Sequence, residues 1–200
     1  MYRLNKHKSS SGARLAEIAV RDEILFHASD LAVLWGISDK NTLYTTLKRY
    51  TDKGLLHRIY KGLYSLKSPR ELDPYLLGIK AIHGPSYISC ETILFNEGII
   101  NQPPQAITLV SGISKQFTIL DRQYRSRRLA DAFLMNDAGI ETLKGVRRAS
   151  VDRAVADMLY FYPKKFFDGE RLIPWVQVKA VSDALGYSFA IPKSYASPSR

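Results

Sequence analysis

Apolar residues in the first third of the chain recur at the spacing of an amphipathic helix. The pattern predicts a helix over residues 14–26. Its apolar stripe consists of Leu15, Ile18, Leu25 and Phe26. The charged residues of the same segment lie off this stripe, so we expect a helix that packs on one face and is solvated on the other.

Two further helices are predicted on either side of Gly36, which interrupts the pattern. Ser29 is a good N-cap for the first of them. The second starts at Ser38 with Asp39 in its first turn, where a carboxylate interacts favourably with the helix dipole. Gly54 stands where a left-handed C-terminal stop is expected. The helix that starts at Ser38 is the third helix of the chain, and its inward-facing positions, at i, i+4 and i+7, are Leu43, Leu47 and Tyr50.

Short β-prone runs at residues 55–60 and 63–66 flank Lys61-Gly62 and predict a two-residue hairpin. Two helices joined by a tight turn and followed at once by a hairpin are the pattern of a winged helix-turn-helix. In that fold the third helix enters the major groove of DNA and the hairpin lies along the backbone. The outward-facing polar residues predicted to contact DNA are Lys40, Asn41, Tyr44, Thr45, Lys48, Arg49, Arg58 and Lys61.

The remainder of the chain has a mixed pattern, so the predicted class is α+β: a winged helix-turn-helix followed by a mixed α/β domain. Helices are predicted over residues 74–82, over 90–96 with Ser89 as the cap, from Ser150 to a stop at Pro163, and over 175–185. Strands are predicted over 106–110 and 116–120, with Gly112 between them. Residues 122–148 are predicted to form loops with short strands. The predicted organisation is a basic flexible tail over 1–12, a DNA-binding domain over 13–67, a second domain over 71–193 and a disordered tail over 194–200.

The net charge of +10 on 200 residues indicates an anionic partner, although solubility alone also accounts for a charge of this size. Residues 1–67 hold 12 Lys and Arg against 6 Asp and Glu, and residues 122–148 hold 7 against 3. The excess of basic residues over 122–148 predicts a further basic patch, which consists of Arg125, Arg127, Arg128, Arg147 and Arg148.

The motifs of the common enzyme classes are missing from the sequence. The four histidines have no metal-ligand spacing, and there is no phosphate-binding glycine loop or nucleophile elbow. We therefore expect no enzymatic activity, no metal and no cofactor. The weak alternative is a nuclease core around Val176–Lys179 with Asp168 and Glu170 upstream; a final helix over the same run is preferred. The single cysteine, Cys90, is expected to be a buried structural thiol.

The sequence lacks the features of a secreted or membrane protein. One cysteine forms no internal disulfide, and no apolar run approaches the ~18 residues of a membrane span. The basic N-terminus lacks the apolar core of a signal peptide. A cytoplasmic protein without a membrane partner is therefore expected.

Several segments of the chain resemble the AbiEi-type antitoxins and transcriptional regulators of bacterial type IV toxin–antitoxin systems, which act in abortive infection. The similarity spans roughly residues 26–162. It lies in Ser29–Ala32, Gly54–His57, Tyr60–Tyr64, Tyr87–Leu94 with the following Gly98, and Ser150–Leu159.

This resemblance implies a winged helix that represses its own operon by binding promoter DNA. It also implies a C-terminal domain that contributes to antagonising a nucleotidyltransferase toxin, for which a stable complex is not required. Position by position, it places the promoter contacts on the third-helix and hairpin residues given above, and it fixes no toxin-neutralising residue. The alternative function is a stand-alone winged-helix regulator whose second domain senses a small ligand.

Overall fold

The chain has an α+β fold in the computed structural model, which describes residues 11–21 and 23–188. It divides into two compact units, Met1–Leu72 and Asp73–Arg200, called unit 1 and unit 2. The predicted tail over residues 194–200 lies outside the described residues.

Unit 1 contains three helices and three strands within its described residues. In chain order they are α1 (Ser11–Ala19), β1 (Leu25–His27), α2 (Ala28–Leu34), α3 (Lys40–Asp52), β2 (His57–Tyr60) and β3 (Leu63–Ser65), followed by a 3-10 turn at Pro69–Glu71. The strands form an antiparallel sheet in the order β1-β3-β2. The β2–β3 hairpin turns at Gly62, whose φ of +70° is one that glycine adopts without strain, and the predicted hairpin is confirmed.

The first predicted helix is wrong at both of its ends. It begins at Ser11, so residues 11 and 12 are helical and do not belong to a flexible tail; residues 1–10 lie outside the described part. It ends at Ala19, because Leu25 and Phe26 pair with β3 as a strand. Both of these side chains are buried. They continue the helical spacing of Leu15 and Ile18 in the sequence, which is why the pattern predicts a single helix.

The start of α2 also differs from the prediction. The helix begins at Ala28, whose backbone N–H donates to the carbonyl of Gly62 at 2.8 Å. Ser29 therefore lies inside the first turn, where its hydroxyl donates to Asp30 Oδ1 and not to the helix backbone. The N-cap is His27, two residues before the Ser29 position that capping preference favours.

Unit 2 is built on a six-stranded mixed sheet in the order β6-β7-β5-β4-β9-β8. Pairs β4–β9 and β5–β7 are parallel and the other neighbours are antiparallel. The strands are β4 (Ser86–Ile88), β5 (Ile107–Ser111), β6 (Lys115–Ile119), β7 (Arg122–Arg128), β8 (Ile140–Leu143) and β9 (Val146–Ala149). The helices are α4 (Pro74–Ile82), α5 (Glu91–Asn96), α6 (Asp131–Leu134), α7 (Val151–Phe161) and α8 (Trp175–Leu185), with a 3-10 turn at Glu170–Leu172.

The predicted helices of unit 2 are confirmed for α4, α5, α7 and α8. The Ser150 hydroxyl accepts from the backbone N–H of Arg153 as an N-cap, and Gly186 ends α8 in a left-handed conformation. The cap predicted at Ser89 is wrong, since α5 begins after Cys90 and the Ser89 hydroxyl donates to the carboxylate of Asp157 at 2.8 Å. The Cys90 side chain is buried, as predicted, and burial raises the pKa of its thiol.

The segment over residues 122–148 is more regular than predicted. It contains the seven-residue strand β7, which lies between β5 and β6, so that the two strands on either side of Gly112 are not neighbours. The buried positions of β7 are Tyr124, Ser126 and Arg127, which give no apolar alternation in the sequence. Pairing on both edges stabilises this strand in place of an apolar pattern.

One close approach in unit 2 depends on a glycine in α4. A Cβ at Gly78 would lie 2.8 Å from Cδ1 and Cε1 of the Tyr124 ring. That ring stacks on Phe117 at 5.1 Å, and its hydroxyl donates to the carbonyl of Pro74 at 3.0 Å. The ring is therefore held on two sides and has little room to move.

We predict that Gly78→Ala destabilises the protein by about 1–3 kcal/mol, because the new methyl group displaces the Tyr124 ring and outweighs the gain in helix propensity. Urea denaturation followed by circular dichroism measures the change. The control is Gly84→Ala, where nothing lies within 4 Å of the added Cβ and φ is not positive. Equal midpoints for the two variants would contradict the proposed contact.

Candidate nucleic-acid interface

Helix α3 separates a buried face from an exposed polar one. Leu43, Leu47 and Tyr50 are at most 5% exposed and pack into the core of unit 1, as predicted. The Tyr50 ring meets Trp35 edge-on at 5.7 Å, and the Trp35 indole N–H donates to the carbonyl of Arg14. This packing fixes the rotation of the helix, so the residues on its other side face solvent.

All six of the predicted contact residues in α3 are exposed, and so are the two predicted in the hairpin. They are Lys40, Asn41, Tyr44, Thr45, Lys48, Arg49, Arg58 and Lys61. Among them, Lys48 forms an ion pair with Asp52 at 3.3 Å, and both side chains are more than half exposed. A pair of this kind contributes roughly 0–1 kcal/mol and gives little resistance to a competing phosphate.

The beginning of α3 is defined by Asp39, which is the N-cap and does not lie within the first turn as predicted. Its Oδ2 accepts from the backbone N–H of Thr42 at 2.6 Å. Hydrogen bonds from the Thr42 side chain and backbone hold the pKa of Asp39 below its ordinary value. The carboxylate therefore stays charged at neutral pH and keeps the first turn in place next to Lys40 and Asn41.

The second predicted basic patch does not form as one surface of free cations. Arg125 and Arg128 are exposed on β7, but Arg127 between them is only 8% exposed and forms an ion pair with Glu91. The Arg127 guanidinium also lies 4.8 Å from the ring centroid of Tyr162. Arg127 is therefore removed from the predicted surface patch.

The other two arginines of that patch are partly exposed and bound to carboxylates. Arg147 pairs with Asp137, and Arg148 pairs with Glu141 across the β8–β9 hairpin at 3.4 Å. These neighbours reduce the positive potential that the sequence count implies. Of the five predicted residues, Arg125 and Arg128 alone are exposed and make no ion pair within the described part of the chain.

The strongest electrostatic feature of unit 2 is a buried ion pair that the sequence did not reveal. Arg153 Nε donates to Asp157 Oδ1 at 3.0 Å, and neither side chain is exposed. Asp157 also accepts from the hydroxyls of Tyr87, Ser89 and Tyr187 at 2.8–3.0 Å. Burial raises the pKa of the Asp157 carboxyl, and the Arg153 guanidinium opposes that shift.

Every N–H of the Arg153 guanidinium has an acceptor. Besides Asp157, it donates to the Tyr87 hydroxyl and to three backbone carbonyls, those of Phe133, Asn136 and Ala138. Gly139 next to this last carbonyl has no room for a side chain, because an added Cβ would lie 2.7 Å from Arg153 Cβ. The signal available in the sequence was an Arg and an Asp four residues apart in an otherwise apolar part of α7.

The described residues contain no cluster of three or more His, Cys, Asp or Glu side chains able to hold a metal ion. The run Val176–Lys179 lies in α8, which confirms the preferred helical interpretation and removes the strand that a nuclease core requires. Within the same residues, no helix is long and apolar enough to cross a membrane.

Comparison with known proteins gives a distant likeness to a solved structure. No family model and no curated protein matches the chain. Among solved structures, it is similar to the crystal structure of the RV2827C protein from Mycobacterium tuberculosis, at 12% identity and a TM-score of 0.47, over 91% of this chain and 79% of that one.

We predict that Asp157→Ala costs about 3–5 kcal/mol of stability, because it leaves the Arg153 charge buried without its partner and removes the acceptor of three hydroxyls. The control is Asp183→Ala in α8, where the carboxylate forms an i, i+4 pair with Lys179 on the surface. That change is expected to cost less than about 1 kcal/mol. Chemical denaturation of the two variants measures the difference, and similar losses would contradict the structural role of the buried pair.

Proposed function

We propose that unit 1 is a winged helix-turn-helix that binds double-stranded DNA. The order α1-β1-α2-α3-β2-β3 supports this assignment, since a helix pair joined by a tight turn is followed by a β-hairpin. In such a module α3 is the recognition helix in the major groove, and the hairpin with Arg58 and Lys61 lies along the phosphate backbone.

The observation that carries the proposal is the composition of the exposed face of α3. Between Lys40 and Tyr50 this face contains no acidic residue, and its side chains suit two tasks. Asn, Lys and Arg hydrogen-bond to base edges, and Thr and Tyr reach phosphates. Because Leu43 and Leu47 anchor the opposite face, the polar side chains are presented together on a fixed surface.

We further propose that the protein is the antitoxin and transcriptional autorepressor of a bacterial toxin–antitoxin operon and counteracts a nucleotidyltransferase toxin. The sequence segments that resemble AbiEi-type antitoxins support this step. Repression then depends on unit 1, whereas unit 2 contributes to antagonism of the toxin without a requirement for a stable complex.

We predict that the double variant Lys48→Ala, Arg49→Ala binds the DNA upstream of its own gene at least about tenfold more weakly than the wild type, since each lost contact to DNA costs about 1–3 kcal/mol. The dependence of affinity on salt also becomes shallower, because fewer counterions are released. Gel-shift titrations at several salt concentrations measure both effects.

The matched control for this experiment is Lys67→Ala, Arg70→Ala. It removes the same two charges from exposed positions of unit 1 outside α3. If the two double variants lose the same affinity, DNA binding reflects net charge and the assignment of α3 as the recognition helix is wrong.

The antitoxin proposal predicts that expression of this chain restores growth of cells that express a nucleotidyltransferase encoded beside its gene. The double variant at Lys48 and Arg49 is expected to restore growth as well when both proteins are expressed from unrelated promoters, because antagonism is assigned to unit 2. Failure of the wild-type chain to restore growth, with promoter binding intact, would favour the stand-alone regulator.

A further inference from the structure

Three neighbouring cavities of unit 2 form one cleft beside strand β7 and the end of helix α7. Their volumes are about 500, 600 and 510 Å³. The first and second share Glu91, Lys165 and Phe166, and the second and third share Phe161 and Tyr162. Cavities in this size range hold small organic ligands. We refer to the three together as the β7 cleft.

An incompletely bonded ion pair with a buried arginine lies in the wall of this cleft. Arg127 donates through Nη2 to Glu91 Oε1, and its side chain is more than nine-tenths buried. Arg127 Nε and Nη1, and Glu91 Oε2, are buried and have no hydrogen-bond partner. Leaving buried polar groups without partners costs free energy, and such groups in a native protein are commonly found where a ligand or water completes the bonding.

The charge of the β7 cleft favours an anion. Its lining contains six basic and two acidic side chains. The acidic ones are engaged, Glu91 with Arg127 and Asp168 with the backbone N–H of Asn101 at 2.9 Å. By contrast, Arg125 and Lys165 are exposed and form no ion pair within the described part of the chain. A guanidinium and an ammonium on one cavity wall suit a phosphate, which carries more than one negative charge.

The same cleft offers aromatic faces and side-chain amides. Phe166 is 74% exposed and Tyr162 is 50% exposed, although large aromatic side chains are usually buried. Exposed rings next to cations are the arrangement on which bases of nucleic acids stack. Asn101, Gln102 and Gln105 line the first cavity and are able both to donate and to accept hydrogen bonds at the edge of a base.

From these features we propose that the β7 cleft binds a nucleotide, either free or at the end of an unpaired strand. The base stacks on Phe166 or Tyr162, and the phosphate is held by Arg125 and Lys165. The residues of this site belong to unit 2, whereas α3 belongs to unit 1, and the proposal does not depend on repression or on antitoxin activity.

Isothermal titration calorimetry of the full-length protein with AMP, GMP, CMP and UMP tests the proposal. At least one of them is expected to bind more tightly than its nucleoside and than inorganic phosphate, since stacking and ion pairing both contribute. Arg125→Gln and Phe166→Ala are each expected to weaken that binding about tenfold. Both side chains are exposed, so the substitutions leave the fold intact, which circular dichroism verifies.

The control variant is Arg122→Gln, which removes the same charge from an exposed position of β7 that does not line the cleft. Equal weakening by Arg122→Gln would show general electrostatic attraction and overturn the site. Binding of inorganic phosphate as tight as that of every nucleotide would overturn the stacking of a base.

A 5′-phosphorylated trinucleotide of the preferred base distinguishes the two sources of the nucleotide. If it binds more tightly than the mononucleotide, and Phe166→Ala weakens it, the ligand is a strand end; the reverse order assigns a free nucleotide. Failure of all of these probes to bind the wild type would overturn the proposal. The Lys48→Ala, Arg49→Ala variant is expected to retain nucleotide binding, so a failure of the DNA-binding proposal is recognised separately.

Discussion

Much of unit 2 is organised around the carboxylate of Asp157 and the guanidinium of Arg153, neither of which is exposed to solvent. The pair connects helix α7 to strand β4 through Tyr87, and to the residues beyond α8 through Tyr187. Taking two charges out of water is expensive, and a buried pair is tolerated when its remaining donors and acceptors are also satisfied. Here each of the five guanidinium N–H groups has an acceptor, so the network favours one arrangement of the surrounding segments.

Arg127 and Arg153, both buried in unit 2, differ in how many of their guanidinium N–H groups have an acceptor within the chain. Arg153 is saturated by groups of the chain itself, whereas Arg127 uses one N–H on Glu91 and leaves Nε and Nη1 without partners. Both are linked through α7, because Arg153 lies in its first turn and Phe161, over which the Arg127 guanidinium lies, is its last residue. The saturated network therefore fixes the helix that forms one wall of the β7 cleft.

The parts of the fold that sequence reasoning predicted are those specified by local signals. Helices α4, α7 and α8 were predicted from their periodicity and their caps, and the β2–β3 hairpin from Lys61-Gly62. Strand β7 and the burial of Arg127 and Arg153 were missed. The acceptor of Arg127 lies 36 residues away, and four of the five acceptors of Arg153 lie 15 to 66 residues away, so a short window of sequence contains at most Asp157 among the groups that make burial of these arginines possible.

Ion pairing of arginines with carboxylates also reduces the positive field that the net charge implies. Four arginines of unit 2, which are Arg127, Arg147, Arg148 and Arg153, contact carboxylates, so the formal charge of this unit overstates the field around it. In α3 the ion pair of Lys48 with Asp52 lies on the surface and contributes little to stability. A polyanion therefore gains more from α3 than from the four arginines of unit 2 that contact carboxylates. The two proposed ligands therefore differ in size: a duplex for α3, and a single nucleotide for the β7 cleft.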